Sequence, residues 1–183
     1  MSIAREQEFK AMITATQATQ LQAHYPFAAP FTQTNRYYDT QDQSLRQLGW
    51  GLRIRQFTDH SEQTLKIPAG PHRQLLEYTD PIANGELAAG GTVAAQLATV
   101  NITLSSLFCF AEATTTRRLA NLPAGLLTLD QTAYPNGNQD WEVELEYSDY
   151  ALALPFWQTL QRQFGWRNAK PKNKIQRASE NVN

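Results

Sequence analysis

The chain is short of charge. Asp, Glu, Lys and Arg make up 18% of its 183 residues, below the roughly 25% of ordinary soluble domains, and lysine occurs only at positions 10, 66, 170, 172 and 174. A formal net charge of -1 leaves no global basic field, which excludes nucleic-acid binding driven by bulk counterion release. Any anion site must be local. Long apolar runs are missing too. The start MSIAREQEFK carries charges where a signal peptide needs an apolar core, and no stretch approaches the length that spans a bilayer. The expectation is a soluble, cytoplasmic protein with no membrane or nucleic-acid partner. Cysteine is nearly absent: Cys109, alone in SLFCFAE, rules out an internal disulfide and points to a reducing compartment or simply a buried small hydrophobe. His24, His60 and His72 fall at a helix end and in two turns, read as surface positions, and leave no histidine constellation for catalysis.

What is present is alternation. Residues 3–12 place Glu6, Glu8 and Lys10 on one face and Gln7, Phe9 and Ala11 on the other, the period of a strand. TATQATQLQAHY reads as a helix capped by Thr14 and ended by Pro26. FTQTNRYYDT is a strand and DQSLRQLG one helical turn closed by Gly49. In WGLRIRQF, Trp50, Leu52 and Ile54 oppose Arg53 and Arg55; in QTLKIP, Thr64 and Lys66 oppose Leu65 and Ile67. With the turns TDHSE and PAGPH and the run RQLLEYTD, these make two hairpins. The Ala-rich middle, IANGELAAGGTVAAQLATVNI, reads as helices interrupted at Gly90 and Gly91. Its glycines make no phosphate loop, because no Gly-Lys-Ser/Thr follows. Strand pattern returns in LFCFAEATTTRRL, LLTLDQTAY and DWEVELEY, the last two joined at Asn136-Gly137. The amphipathic helix ALPFWQTLQRQFG and a basic, then polar, tail close the chain. No linker divides it, so a single domain over 1–183, with its core about 3–178, is expected. About eight strands with helices inserted between them and at the C-terminus specify an α+β fold, an antiparallel sheet curled into a barrel.

The charged faces need an explanation. DWEVELEY lines up Glu142, Glu144 and Glu146 opposite Trp141, Val143, Leu145 and Tyr147, about two residue-rises apart. Glu6 and Glu8 repeat the motif, Asp130 faces away from Leu127 and Leu129, and Lys10, Arg53, Arg55, Lys66 and Arg117 supply the opposite sign from other strands. If these faces turn inward, the lumen carries acidic and basic walls together. A polyphosphate with a bridging divalent cation asks for both. If they turn outward, the charges pair loosely in water at about 0–1 kcal/mol each. Period two does not say which face is inside.

EQEFK fits the Glu-x-Glu-x-Lys signature of the CYTH superfamily, the triphosphate tunnel metalloenzymes. The chain continues with NRYYDT, GWGLRIRQ, TLKIP, LLEYTD, TTTRR, LLTLDQT, WEVELEY and NKIQRA, in the order that resembles this family from Arg5 to about Ala178. It is most similar to the bacterial single-domain branch labelled adenylate-cyclase-like. The resemblance implies an eight-stranded antiparallel barrel forming a tunnel, with a triphosphate-bearing substrate and Mg²⁺ or Mn²⁺ inside. It implies metal-side carboxylates at Glu6, Glu8, Glu142 and Glu144, with Glu77 and Asp130 as further acidic positions. Lys10, Arg53, Arg55, Lys66 and Arg117 resemble the phosphate-binding cations, and Lys174 the C-terminal lysine that closes over the tunnel, although Asn173 stands where the family often has Ser. Arg118, beside Arg117, must take the opposite face. Glu146 shares the face of its neighbours but lies further along, at the tunnel mouth or in water. Catalysis then falls to Glu142, Glu144 and Lys66. The implied activity is metal-dependent release of phosphate from tripolyphosphate, a nucleoside triphosphate or thiamine triphosphate. Alternatives are an adenylate cyclase making cyclic AMP and pyrophosphate, and a noncatalytic polyphosphate or nucleotide binder.

Overall fold

The computed structural model describes residues 1–70, 74–83, 85–166 and 171–182; His72 and part of the turn expected around it lie outside them. The elements are β1 (Ser2–Glu6), β2 (Glu8–Ile13), α1 (Ala15–His24), β3 (Phe31–Thr40), α2 (Ser44–Gln47), β4 (Gly51–Gln56), β5 (Ser61–Pro68), β6 (Leu75–Ile82), α3 (Thr92–Ala98), β7 (Leu107–Leu122), β8 (Gly125–Ala133), β9 (Gln139–Glu146), α4 (Tyr150–Phe164) and α5 (Lys174–Ser179). They form one antiparallel sheet in the order β1-β6-β5-β4-β3-β7-β8-β9-β2. Its two edge strands are separated in the chain by Gln7 alone, so the sheet curls until its edges share one continuous segment. Residues 2–13 act as a single strand that changes partner at Gln7, from β6 to β9. Counted so, the nine strands are the expected eight.

Side-chain alternation gives each strand two faces, and the helices decide which of them is outside. Phe9, Ala11, Ile13, Leu127, Leu129, Val143 and Leu145 point outward, under α1 and α4, whose Leu21, Trp157 and Leu160 complete one apolar cluster. Leu52 and Leu65 point outward under α2 and α3, meeting Leu45, Val93 and Leu97. Each fully buried leucine or valine among them is worth about 1.5–3 kcal/mol. The helices thus cover the convex face, and the concave face is left to the charged residues. α1 is held by a capping box between Thr14 and Gln17, and α4 by the Asp149 carboxylate at its start and Gly165 at its end.

Two expectations change. Helix in the Ala-rich middle begins only at Thr92. Asp80 accepts from the Val93 backbone N–H at 2.8 Å and the Thr92 hydroxyl at 2.9 Å, fixing the start of α3, and the described residues before Gly91 form no helix. Cys109 is exposed, not buried: it sits beside a register shift opposite Tyr37/Tyr38, where the in–out alternation slips by one residue.

Candidate active site

The inward faces enclose a cavity of about 570 Å³. Strand pairing dictates its densest corner. Asp130 on β8 lies opposite Glu142 on β9, and Lys10 on β2 opposite Glu144. One oxygen each of Asp130, Glu142 and Glu144 lies within 4.8 Å of the others, and all three residues are buried. Three carboxylates this close repel unless cations stand among them. Lys10 Nζ is 2.7 Å from Glu144, 3.0 Å from Glu8 and 3.7 Å from Glu142. Arg117 grips Asp130 with both edges of its fork, Nε to Oδ1 at 2.8 Å and Nη2 to Oδ2 at 2.6 Å, and reaches Glu144 at 3.4 Å. Lys174, from α5, contacts Asp130 at 2.8 Å, Glu144 at 3.2 Å and Glu142.

Protonation follows this geometry. Burial pushes the Glu142 carboxyl up against the pull of Lys10 and Lys174. Burial acts on Glu144 too, but Lys10, Lys174, Arg117 and a hydrogen bond from Glu142 hold it well below the usual carboxylate range. Of the two carboxyls, Glu144 is the one whose surroundings most favour the ionised form. Burial alone would lower Lys10 and Lys174; their carboxylate neighbours raise both instead.

A second acid pair stands apart. Lys66 Nζ lies 2.6 Å from Glu6 and contacts Glu77, joining β1, β5 and β6. Burial pushes Glu6 up to about 7 against the attraction of Lys66. Glu77 is equally desolvated, but Lys66 and Arg53 hold it at about 2. The acids that alternation grouped by strand thus divide by neighbourhood: Glu8 joins the Asp130 corner through Lys10, while Glu6 and Glu77 share Lys66.

The remaining wall is cationic. Arg55 is held by Asn35 at 3.2 Å and Glu62 at 3.3 Å, and burial, with Arg53 and Arg117 nearby, lowers it to about 9. The buried Nε of Arg53 has no hydrogen-bond partner among the described residues. A buried guanidinium, Arg55, set beside two like charges makes a place where an anion is favoured.

Sequence reasoning missed Arg177. Its Nη1 donates to Glu142 at 2.8 Å and to the Lys172 carbonyl at 2.7 Å; its Nε donates to Asp140 at 2.8 Å and to the Tyr134 hydroxyl at 3.2 Å. The available signal was the Lys174-x-x-Arg177 spacing, which puts both cations on one helix face. Asn173 caps that helix, accepting from the Gln176 N–H at 2.9 Å, so Asn serves here where the family often has Ser. Glu146 is exposed and lines the cavity edge, Arg118 takes the face of β7 opposite Arg117, and His24 and His60 are exposed. The donor set at Asp130, Glu142 and Glu144, all carboxylate oxygen, fits a hard divalent cation.

The family model described as CYTH domain matches residues 4–179. A Bacillus subtilis (strain 168) protein named "Putative triphosphatase YjbK" is 33% identical over 181 residues, covering 96% of this chain and 90% of the relative. Among solved structures, "a putative adenylate cyclase" from Bacillus halodurans superposes with a TM-score of 0.86 at 27% identity, over 97% of this chain and 98% of that one. A Hippeastrum protein described as a "Putative adenylyl cyclase" with "a dominant triphophatase activity" shares the fold, with a TM-score of 0.78 at 17% identity, over 97% and 96% of the two chains. No helix among the described residues is long and apolar enough to cross a membrane.

Proposed function

The chain belongs to the CYTH domain family, and from that premise we propose that it is a triphosphatase, releasing orthophosphate from a triphosphate-bearing substrate held in the cavity with Mg²⁺ or Mn²⁺. The observation that carries the reading is convergence: acids and bases from most strands of the sheet, and from α5, point into one space of about 570 Å³, with their apolar neighbours turned out under helices.

Phosphoryl transfer asks a protein for position and charge neutralisation more than for covalent chemistry. Arg53 and Arg55 on β4, Arg117 on β7 and Lys66 on β5 are the groups that would bind the phosphate chain and hold it in line. Lys10 and Lys174 neutralise charge on the acid side. Asp130, Glu142 and Glu144 would hold the divalent cation, with Glu8 beside them, and Glu6 and Glu77 line the same cavity around Lys66. The cation, when bound, supplies charge withdrawal from the phosphate oxygens. Glu144, kept ionised by Lys10, Lys174 and Arg117, is suited to orient the attacking water and accept its hydrogen bond; Glu142, gripped by Arg177 at 2.8 Å, is suited to hold its place beside it. Water adds to the terminal phosphorus, the bridging P–O bond breaks, and orthophosphate and a diphosphate leave.

The experiment is orthophosphate release from tripolyphosphate, ATP and thiamine triphosphate, with and without Mn²⁺ or Mg²⁺, by the wild type and by Glu144→Gln. Metal-dependent release by the wild type and its loss in the variant are expected. Equal release by both proteins would remove Glu144 from the reaction, and no release by the wild type would overturn the assignment.

A further inference from the structure

Lys174 touches all three members of the carboxylate corner, Asp130 at 2.8 Å, Glu144 at 3.2 Å and Glu142. Those three residues each offer an oxygen within 4.8 Å of the others. A single ammonium therefore sits at the point the three carboxylates share, which is where a cation bound by them would sit. Two positive ions do not occupy one such point. Nor is Lys174 needed to keep α5 on the barrel. Arg177 fastens the helix to Glu142 and Asp140, and Ile175 and Ala178 pack against the cluster of Tyr37, Ala111, Ala113 and Tyr134. The flexible four-carbon stem of Lys174 can therefore swing while its helix stays in place. The side chain lines the cavity and is 12% exposed, so the space it would swing into is the one assigned to phosphate.

We propose that Lys174 is an exchangeable counter-ion: it occupies the cation position of the Asp130–Glu142–Glu144 corner, a divalent cation displaces it, and the displaced ammonium becomes a ligand for the substrate's phosphates. The lysine thereby couples the two binding events. Before the metal arrives it satisfies the carboxylates and is withheld from the substrate; afterwards it is released to the anion. This rests on reading the cavity as a divalent-cation and triphosphate site, and it gives Lys174 a role with a distinctive sign. A residue that binds substrate away from the carboxylates leaves metal affinity nearly unchanged when it is removed. A competitor for the metal position raises it.

The test is calorimetric titration of wild type and Lys174→Met with Mn²⁺, without substrate, alongside thermal unfolding of both proteins with and without Mn²⁺. The variant is expected to bind Mn²⁺ about tenfold tighter or more. It should unfold earlier than wild type without metal, since three buried carboxylates have lost a cation, and gain more stability from Mn²⁺ than wild type does. If the variant does not fold without metal, Mn²⁺ is expected to restore its cooperative transition. Mn²⁺ binding by the wild type with equal or weaker binding by the variant, or a variant that stays unfolded in saturating Mn²⁺, overturns the exchange and leaves the triphosphatase reading standing. Absence of Mn²⁺ binding by both proteins overturns the exchange together with the metal site on which it rests.

Discussion

Arg117 grips Asp130 with both edges of its fork, and removal of this pair separates stability from catalysis. Both edges of the guanidinium are engaged, at 2.8 and 2.6 Å, and the Asp130 side chain has no exposed surface. Removing one member of such a pair costs about 3–5 kcal/mol, because a buried charge is left without its partner. Lys174 remains 2.8 Å from Asp130, so Arg117→Met should fall near the low end, about 3 kcal/mol. For a chain of this length that lowers Tm by about 6–12 °C. The double variant Arg117→Met/Asp130→Asn removes both charges and should regain more than half of the loss, a coupling read from the thermodynamic cycle. Phosphate release should not return, since a phosphate-facing cation and a carboxylate of the corner are both gone. Thermal unfolding and an orthophosphate assay on the four proteins decide it. Strictly additive stability losses, or a double variant as active as wild type, would refute the reasoning.

Further outcomes are expected. Glu8→Gln, like Glu144→Gln, should abolish metal-dependent release while far-UV circular dichroism stays that of wild type. Glu6 contributes a pH dependence: its carboxyl is raised from the ordinary 4.5 to about 7 in the folded chain, so the folded state binds more protons than the unfolded state between those values. Stability present below pH 4.5 is therefore lost as pH rises through 7, by up to about 3 kcal/mol. Glu6→Gln should unfold at a higher temperature than wild type at pH 8, with the gap shrinking toward pH 5, and a gap independent of pH would contradict it. Gly125, at φ +141°, would bring a Cβ to 2.2 Å from the Glu146 carbonyl oxygen. Gly125→Ala should accordingly cost more than about 1 kcal/mol in a denaturant titration.

The strands were legible because each carries two chemistries in strict alternation. Leu52 and Ile54 against Arg53 and Arg55, or Val143 and Leu145 against Glu142 and Glu144, state a strand and its two faces without stating which is inside. Only the helices settle that: α1, α2, α3 and α4 need apolar surface to pack on, and by covering Leu127, Leu145, Leu52 and Leu65 they leave the charges to the lumen. Capping chemistry was local and readable at Thr14 and Gly49. Arg177 was not, because its partners Asp140 and Glu142 lie 37 and 35 residues away and its helix is only six residues long, too short to show a period. The division of acids into the Lys66 pair and the Asp130 corner was equally hidden, since it depends on where residues 2–13 exchange one neighbouring strand for another. Cys109 escaped for a related reason, a bulge that alternation does not announce.

The decisive measurement is ³¹P nuclear magnetic resonance of the wild-type reaction with tripolyphosphate and with ATP, in Mg²⁺, with the products resolved. Orthophosphate appearing together with a diphosphate product, only while the divalent cation is present, is the result predicted by a cavity in which carboxylates and cations act together on a phosphate chain. Unchanged substrates, or pyrophosphate with cyclic AMP from ATP, would contradict it.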